Sequence, residues 1–283
     1  MRVYSLMEDT TCEPDVVSEH GLSLYVMTAH HRLLFDAGRS GKFADNAAKL
    51  GINPADVDIA ILSHGHYDHG NGLARFLEVN DHAQIYINRH AFGQYYYRSE
   101  RYIGIDPEVI RTLSESGRVV FTDDTYIIDD ELSLCTCNDK TSVFPVDNAG
   151  LTEKNGDTFV PDRFLHEQYL VINDKTHISQ TEKSVIGRRI VLSGCSHKGI
   201  LNIVNWLRPD VLIGGFHFMD IDVSSGYSDV LNKAAEVLMT EHEGRTPTMF
   251  YTCHCTGAAQ YSYLKKRMCD RLEYLSSGQT VEI

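Results

Sequence analysis

An apolar run at residues 57–62 ends directly in Ser63-His64-Gly65-His66-Tyr67-Asp68-His69-Gly70, which carries three imidazoles and one carboxylate within six residues. Any fold for this chain has to bury the run and still let those four side chains converge. The run reads as a buried strand, so the polar motif lies on the loop leaving its end, where irregular backbone can turn side chains toward one point. Imidazole and carboxylate together are the ligand set of zinc and related first-row ions. His64 and His66, two residues apart, can project around one ion, while Asp68 and His69 reach a second ion beside it. Two adjacent metals are the expectation. Gly65 and Gly70 suit a tight loop, and the stretch 70–73 would open a helix.

The rest of the chain reads as strands and helices around that loop. A first strand is expected at 3–6, then a polar loop over 8–19, then an antiparallel pair at 22–28 and 32–36. Helical spacing over 43–50 ends at Gly51, a good helix-terminating residue. Alternation predicts a strand at 83–88, and short strands follow at 119–122, 126–128 and 132–136. Residues 141–164 are rich in Gly, Asp, Asn and Pro and read as a long functional loop. A strand pair at 169–173 and 189–193 spans a polar segment at 174–184; a helix at 200–207, a strand at 211–213, a helix at 228–241, a last core strand at 248–252 and a helix from 257 to 268 complete the chain. The N-terminus of that last helix could offer amide dipoles to a substrate anion.

Between 90 and 116 the character changes, with Tyr95-Tyr96-Tyr97-Arg98 followed by Arg101-Tyr102. A helical insert over the site is expected there. Arg98, Arg101 and Tyr97 are candidate substrate-binding residues, because guanidinium grips phosphate bidentately and tyrosine offers a stacking face and a hydroxyl. Packing of an extra helix is the competing use of the tyrosines.

His-x-His-x-Asp-His after an apolar strand resembles the signature of the metallo-β-lactamase fold superfamily. The resemblance implies an α/β fold, a four-layer αβ/βα sandwich of two mixed β-sheets with helices on the outer faces, over 1–283 as one domain. Asp36-Ala37-Gly38 matches the Asp-x-Gly that the superfamily carries before its histidine motif, and implies that Asp36 orients a metal-bound imidazole from behind. The run 190–192 ends in Ser193-Gly194-Cys195-Ser196-His197, where the superfamily's bridging aspartate is replaced by Cys195. Cys195 is therefore either a soft bridging ligand or a small buried filler. His197 is expected to complete a first trio with His64 and His66, His166 being the competing third imidazole. His254, following the strand at 248–252, would join Asp68 and His69 around the second ion. His217, in Gly214-Gly215-Phe216-His217, is a candidate proton donor or oxyanion binder. With Glu19-His20-Gly21 and His254-Cys255-Thr256-Gly257, these motifs are similar to the branch labelled 7,8-dihydropterin-6-methyl-4-(β-D-ribofuranosyl)aminobenzene-5′-phosphate synthase.

Composition narrows the partners. The chain has 283 residues, 42% hydrophobic and 23% charged, with a formal charge of −13. That charge disfavours nucleic acid or an anionic membrane as partner, while leaving room for a local basic pocket. No run approaches the roughly 18 apolar residues of a membrane span, and the first residues lack a signal-peptide core, so a cytoplasmic location is expected. Seven cysteines lack the density of a secreted disulfide scaffold, and most are expected to be reduced. The Cys135/Cys137 and Cys253/Cys255 pairs would each put two sulfurs on one face of a strand, closer than the usual spacing of a structural zinc site. Gly194-Cys195-Ser196-His197-Lys198 lacks the final glycine of a nucleophile elbow, so no serine hydrolase is read here.

The resemblance implies two divalent cations, zinc first with iron or manganese as alternatives, and a hydrolase that uses a metal-activated water on an ester, lactone or phosphoester-type small molecule. In that scheme Asp68 and His217 are the catalytic candidates. A pterin-type transferase coupling a dihydropterin methyl carbon to an arylamine, and a non-catalytic ligand-binding scaffold, are the other readings. Di-iron oxygen reductases of the superfamily carry Glu where this chain has His66, which argues against that branch. The substrate would be a small molecule, phosphorylated in the transferase reading; the oligomeric state stays open.

Overall fold

The computed structural model describes residues 1–175, 187–240 and 247–283. In chain order its strands and helices are β1 (Arg2–Met7), β2 (Ser23–Met27), β3 (Arg32–Phe35), α1 (Lys42–Lys49), β4 (Ile59–Ile61), α2 (Tyr67–Gly70), α3 (Leu73–Val79) and β5 (Gln84–Asn88). Then come β6 (Tyr95–Tyr97), β7 (Arg101–Tyr102), α4 (Pro107–Glu115), β8 (Val119–Thr122), β9 (Thr125–Ile127), β10 (Leu132–Cys135), β11 (Leu151–Asn155) and β12 (Thr158–Pro161). The rest comprises β13 (Tyr169–Asp174), β14 (Arg188–Ser193), α5 (Ile200–Leu207), β15 (Val211–Gly214), α6 (Asp229–Leu238), β16 (Met249–Thr252), α7 (Ala258–Met268), β17 (Leu272–Tyr274) and β18 (Thr280–Glu282).

Alternation along the strands builds the layers. Leu33 and Phe35 of β3, and Ile59 and Ile61 of β4, face an inner core, while Leu34 and Ala60 between them face outward to α1 and α3. On the other side, Ile190 and Leu192 of β14 and Val211 and Ile213 of β15 meet the same inner core, while Val191 and Leu212 pack under α5, α6 and α7. Period-2 side chains buried on both faces require cover on both faces. The result is helices, sheet, sheet, helices. The first sheet runs β18-β1-β2-β3-β4-β5-β8 and the second β17-β16-β15-β14-β13-β10-β9. Both are mixed: β3, β4, β5 and β8 are parallel, as are β14 to β17, and the other pairings are antiparallel.

This topology brings the site together. The parallel strands β3, β4, β14, β15 and β16 deliver Asp36, His64, Cys195, His217 and His254 just beyond their carboxyl ends, the usual place for ligands in such sheets.

Three expectations need correction. The insert at 90–116 is helical only over α4. Tyr95–Tyr97 and Arg101–Tyr102 instead form a β-hairpin, turned by Arg98 and Ser99 with left-handed φ of 54° and 57°. Tyrosine favours strands, and a free strand edge was within reach. The stretch 141–164 is not all loop, because β11 and β12 form a hairpin turning at Gly156, φ 61°, that pairs with β6 in a separate four-stranded sheet. Its exposed face is polar, which hid the alternation. The strand at 249–252 is not the last, since β17 and β18 follow and β18 pairs with β1.

The helix expected at 228–241 is α6, begun by the Ser228 hydroxyl accepting the Leu231 N–H at 3.3 Å; residue 241 lies outside the described residues, as does most of the polar segment expected at 174–184. Among the described residues no helix is long and apolar enough to cross a membrane.

Candidate metal centre

Three of the imidazoles at the sheet ends, His64, His69 and His254, are aimed by a partner on Nδ1. Asp36 is 1% exposed; its Oδ1 accepts the Ser63 N–H at 2.7 Å, and its Oδ2 accepts both the Ser63 hydroxyl and His69 Nδ1–H at 2.7 Å. With its own proton given to Asp36, the Ser63 hydroxyl accepts from His64 Nδ1 at 2.8 Å. Asp9 Oδ1 accepts from His254 Nδ1 at 2.6 Å. Tying up Nδ1–H in this way leaves Nε2 of His64 and His69 as bare acceptors, while His254 Nε2 turns toward Asp68.

Around His69 the ligand-type atoms crowd together. His69 Nε2 lies 3.2 Å from His254 Nε2 and 3.2 Å from Cys195 Sγ. Nε2 of His64, Nε2 of His66 and both ring nitrogens of His197 are buried with no hydrogen-bond partner among the described residues. Buried polar atoms are rarely left so; the His66 ring packs 4.6 and 4.9 Å from those of His64 and His197, and its ligand atom groups with those of Asp162 and His166. The ligand atoms of His64, Cys195 and His197 lie within 4.8 Å of one another, as do those of His69, Cys195 and His254. Cys195 Sγ thus belongs to both groups. Asp68 Oδ2 approaches His254 Nε2 at 3.5 Å and His69 Nε2 at 3.8 Å.

Electrostatics separates the two halves. Burial, then neighbouring imidazoles, holds His64 and His197 well below the ordinary histidine range, and burial brings His66 down to about 3. These rings are neutral at physiological pH, as metal ligation requires. For His254 burial pulls downward too, but its hydrogen bonds with Asp68 and Asp9 outweigh it and leave the ring well above the ordinary value. Burial likewise resists ionisation of Asp68, and the neighbouring His69 imidazole with hydrogen bonds from His20 and His254 overcomes it, holding the carboxyl well below its usual range. Two hydrogen bonds, to Asp68 and Asp9, raise His20 to about 9. Cys195 is pushed well above the usual thiol value by burial, with Cys255 beside it adding to the effect.

Two further buried carboxylates hold the loops themselves. Glu167 accepts the backbone N–H of His197 at 2.7 Å and of Lys198 at 3.0 Å, and Glu8 accepts the backbone N–H of His254 at 3.0 Å. The loops they hold are strained. Asp36, Ser196, His217 and His254 all have φ between 49° and 62°, a conformation non-glycine residues adopt rarely and mostly where function demands it. Gly194 is required for a different reason: a Cβ there would lie 2.2 Å from Ser63 Oγ and 3.0 Å from His64 Nδ1, so only glycine lets the end of β14 approach the end of β4.

The other candidates fall as follows. His217 packs its ring 4.4 Å from His197 and is half-buried with Nδ1 unpartnered. His166 is not a free imidazole, because Nδ1 accepts the Gly65 N–H at 2.9 Å and Nε2 faces Asp162 at 3.2 Å; it braces the loop. Arg98 and Arg101 bracket the Tyr97 ring at 5.0 and 5.3 Å on the β6–β7 hairpin, which docks on the metal loop through Tyr67 N–H to Ile103 O at 2.9 Å. Arg39 lies over Tyr67 at 5.7 Å. The Cys253/Cys255 pair diverges: Cys253 enters the core between the sheets, and Cys255 Sγ reaches Cys195 O at 3.5 Å. Cys135 and Cys137 belong to no group of three or more metal-capable side chains among the described residues.

A family model described as metallo-beta-lactamase superfamily matches residues 20–131. The structure superposes on Tm1679, a metal-dependent hydrolase of the beta-lactamase superfamily, with a TM-score of 0.77 and 25% identity over 100% of this chain and 99% of that one. The chain has the metallo-β-lactamase fold and is similar to that superfamily in sequence over residues 20–131. Within that superfamily, YhfI from Bacillus subtilis shares the fold at a TM-score of 0.55 and 14% identity, over 99% of both chains. Among curated relatives, an uncharacterised protein of Methanocaldococcus jannaschii is 26% identical, covering 89% of this chain and 90% of its own length. The 7,8-dihydropterin-6-methyl-4-(β-D-ribofuranosyl)-aminobenzene-5′-phosphate synthase of the same organism is 27% identical, covering 100% of this chain and 96% of its own. The superfamily's fold implies divalent metals, and the buried imidazoles fit them. Asp9, Glu8, Glu167 and Asp162 carried no signal in the sequence, for they sit in polar loops where acidic residues are ordinary.

Proposed function

We propose that this protein is a hydrolase with a binuclear metal centre acting on a small anionic ester, lactone or phosphoester. His64, His66 and His197 would hold one cation, Asp68, His69 and His254 the other, with Cys195 reaching both. The supporting observation is the set of unpartnered buried ring nitrogens on His64, His66 and His197, which no packing role explains. Zinc is the first expectation for this donor set, with iron or manganese as alternatives. Divalent cations held there would polarise a substrate oxygen and acidify a water molecule.

The chain's own groups do the rest. Asp68, ionised and at the mouth of the second group, would orient the attacking water through a hydrogen bond. His217, half-buried against His197, would give a proton to the leaving oxygen. Arg98, Arg101 and Tyr97, with Arg39 nearby, would receive the substrate's anionic group, since guanidinium matches phosphate and carboxylate in a fixed fork. None of these three arginines has an acidic partner in the described residues, which in a chain of charge −13 leaves a local basic rim.

A second reading is transfer rather than hydrolysis, favoured by the full-length 27% identity to the M. jannaschii synthase. The discriminating experiment incubates metal-loaded protein with phosphodiesters, lactones and, separately, a dihydropterin diphosphate plus an arylamine. Hydrolysis products alone, lost on chelation, support the hydrolase. A coupled pterin–arylamine product without hydrolysis would overturn it in favour of the transferase.

A further inference from the structure

The Glu19-His20-Gly21 stretch takes no part in the ligand sets above, yet it touches them. His20 Nδ1 lies 2.9 Å from Asp9 Oδ2, and His20 Nε2 lies 3.2 Å from Asp68 Oδ2. The other oxygen of the same Asp9 carboxylate holds His254 Nδ1 at 2.6 Å and faces the Gly21 N–H at 3.3 Å. One carboxylate therefore steers His254 directly and Asp68 through His20. The backbone reinforces the contact. Leu22 N–H donates to Asp68 O at 3.2 Å, and Gly21, at φ 147°, presses so closely on that carbonyl that a Cβ would lie 2.4 Å from it.

We propose that His20 is a positioning residue that, with Asp9, fixes Asp68 and His254 in the orientation needed to share one cation. The proposal rests on the binuclear reading given above. Asp9, His20 and His254 also bring ligand atoms within 4.8 Å of one another, which would suit a third cation. The hydrogen bonds argue otherwise: Asp9 already occupies the Nδ1 atoms of both rings, so a third ion would have to displace two short contacts to bind. His20 also differs in exposure. Its side chain is 38% exposed, against 0% for His69 and His254 and 9% for Asp68. It closes the second group from the solvent side, where a small molecule can reach it.

Groups that orient a ligand from behind typically account for about 10–100-fold in metal affinity. The test is stepwise zinc binding, by calorimetry and elemental analysis, to chelator-stripped protein: wild type, His20→Ala and His20→Gln. Wild type is expected to take two zinc ions. His20→Ala should bind the first as wild type does and the second about 10–100-fold more weakly. His20→Gln, which keeps a donor toward Asp68, should fall between them, and added imidazole should restore part of the loss in His20→Ala. Equal second-ion affinity in His20→Ala and wild type would overturn the proposal alone. Three ions in wild type and two in His20→Ala would overturn it in favour of His20 as a ligand. A wild type that takes up no zinc would overturn the binuclear reading and this proposal with it.

Discussion

His66→Ala is expected to lose the first cation and, with it, more than about 100-fold of any metal-dependent turnover, since even outer groups around metal sites account for about 10–100-fold. The prediction turns on what His66 does without metal. Its Nε2 is buried with no partner among the described residues, its ring is held neutral, and it stacks edge-on to His64 and His197 at 4.6 and 4.9 Å. A side chain in that position stabilises the metal-free fold little, because an unpaired buried ring nitrogen offsets the gain from packing. The metal-free variant should therefore melt near the metal-free wild type, while the wild type alone should rise in melting temperature on adding zinc. Elemental analysis and thermal melts with and without zinc check both halves. A variant with full metal content and a lowered metal-free melting temperature would mean that His66 is a packing residue.

Asp36→Ala has the opposite character. Asp36 accepts from the Ser63 backbone, the Ser63 hydroxyl and His69 Nδ1, and all of these groups are buried. Removing the carboxylate leaves those donors unsatisfied at about 1–3 kcal/mol each, not fully additive, so a loss of about 3 kcal/mol is expected in the metal-free protein. It also frees His69 to adopt the other tautomer and turn its Nε2 into a donor. Denaturant unfolding of the metal-free protein measures the first effect, and zinc binding the second. A variant within about 0.5 kcal/mol of wild type, the range of ordinary surface substitutions, would show that the Asp36 network does not hold the loop.

The contrast between these two residues shows what a sequence can reveal. His64, His66, Asp68 and His69 stood out as candidates because four ligand-type residues crowd one loop after an apolar strand, and His197 and His254 only through the resemblance to the superfamily's strand-end ligands. The layers came from the resemblance alone; the structure supplies their physical reason, since Leu33 and Phe35 face the inner core while Leu34 between them faces the helices, so both faces of the sheet need cover. Asp9 and Glu8 were not legible, because their carboxylates serve His254, some 245 positions away, and no local pattern records a partner so distant. The β6–β7 hairpin was misread because three adjacent tyrosines have no period, and only the pairing of β6 with β11 decides their conformation. His166 was ambiguous until its two nitrogens were found bonded to Gly65 and Asp162.

Cys195 is where the account is most exposed. A carboxylate would bridge two hard cations readily, whereas a thiolate selects softer ones and is open to oxidation. Its sulfur lies 3.2 Å from His69 Nε2 and belongs with both groups of imidazoles. The most direct measurement is therefore anomalous diffraction, across the zinc, iron and manganese edges, from crystals of protein purified without added metal. Two peaks are expected, one among His64, His66 and His197, the other among Asp68, His69 and His254, with the Cys195 sulfur between them. A single peak, or none at full occupancy after zinc soaking, would contradict the binuclear centre on which the proposed chemistry depends.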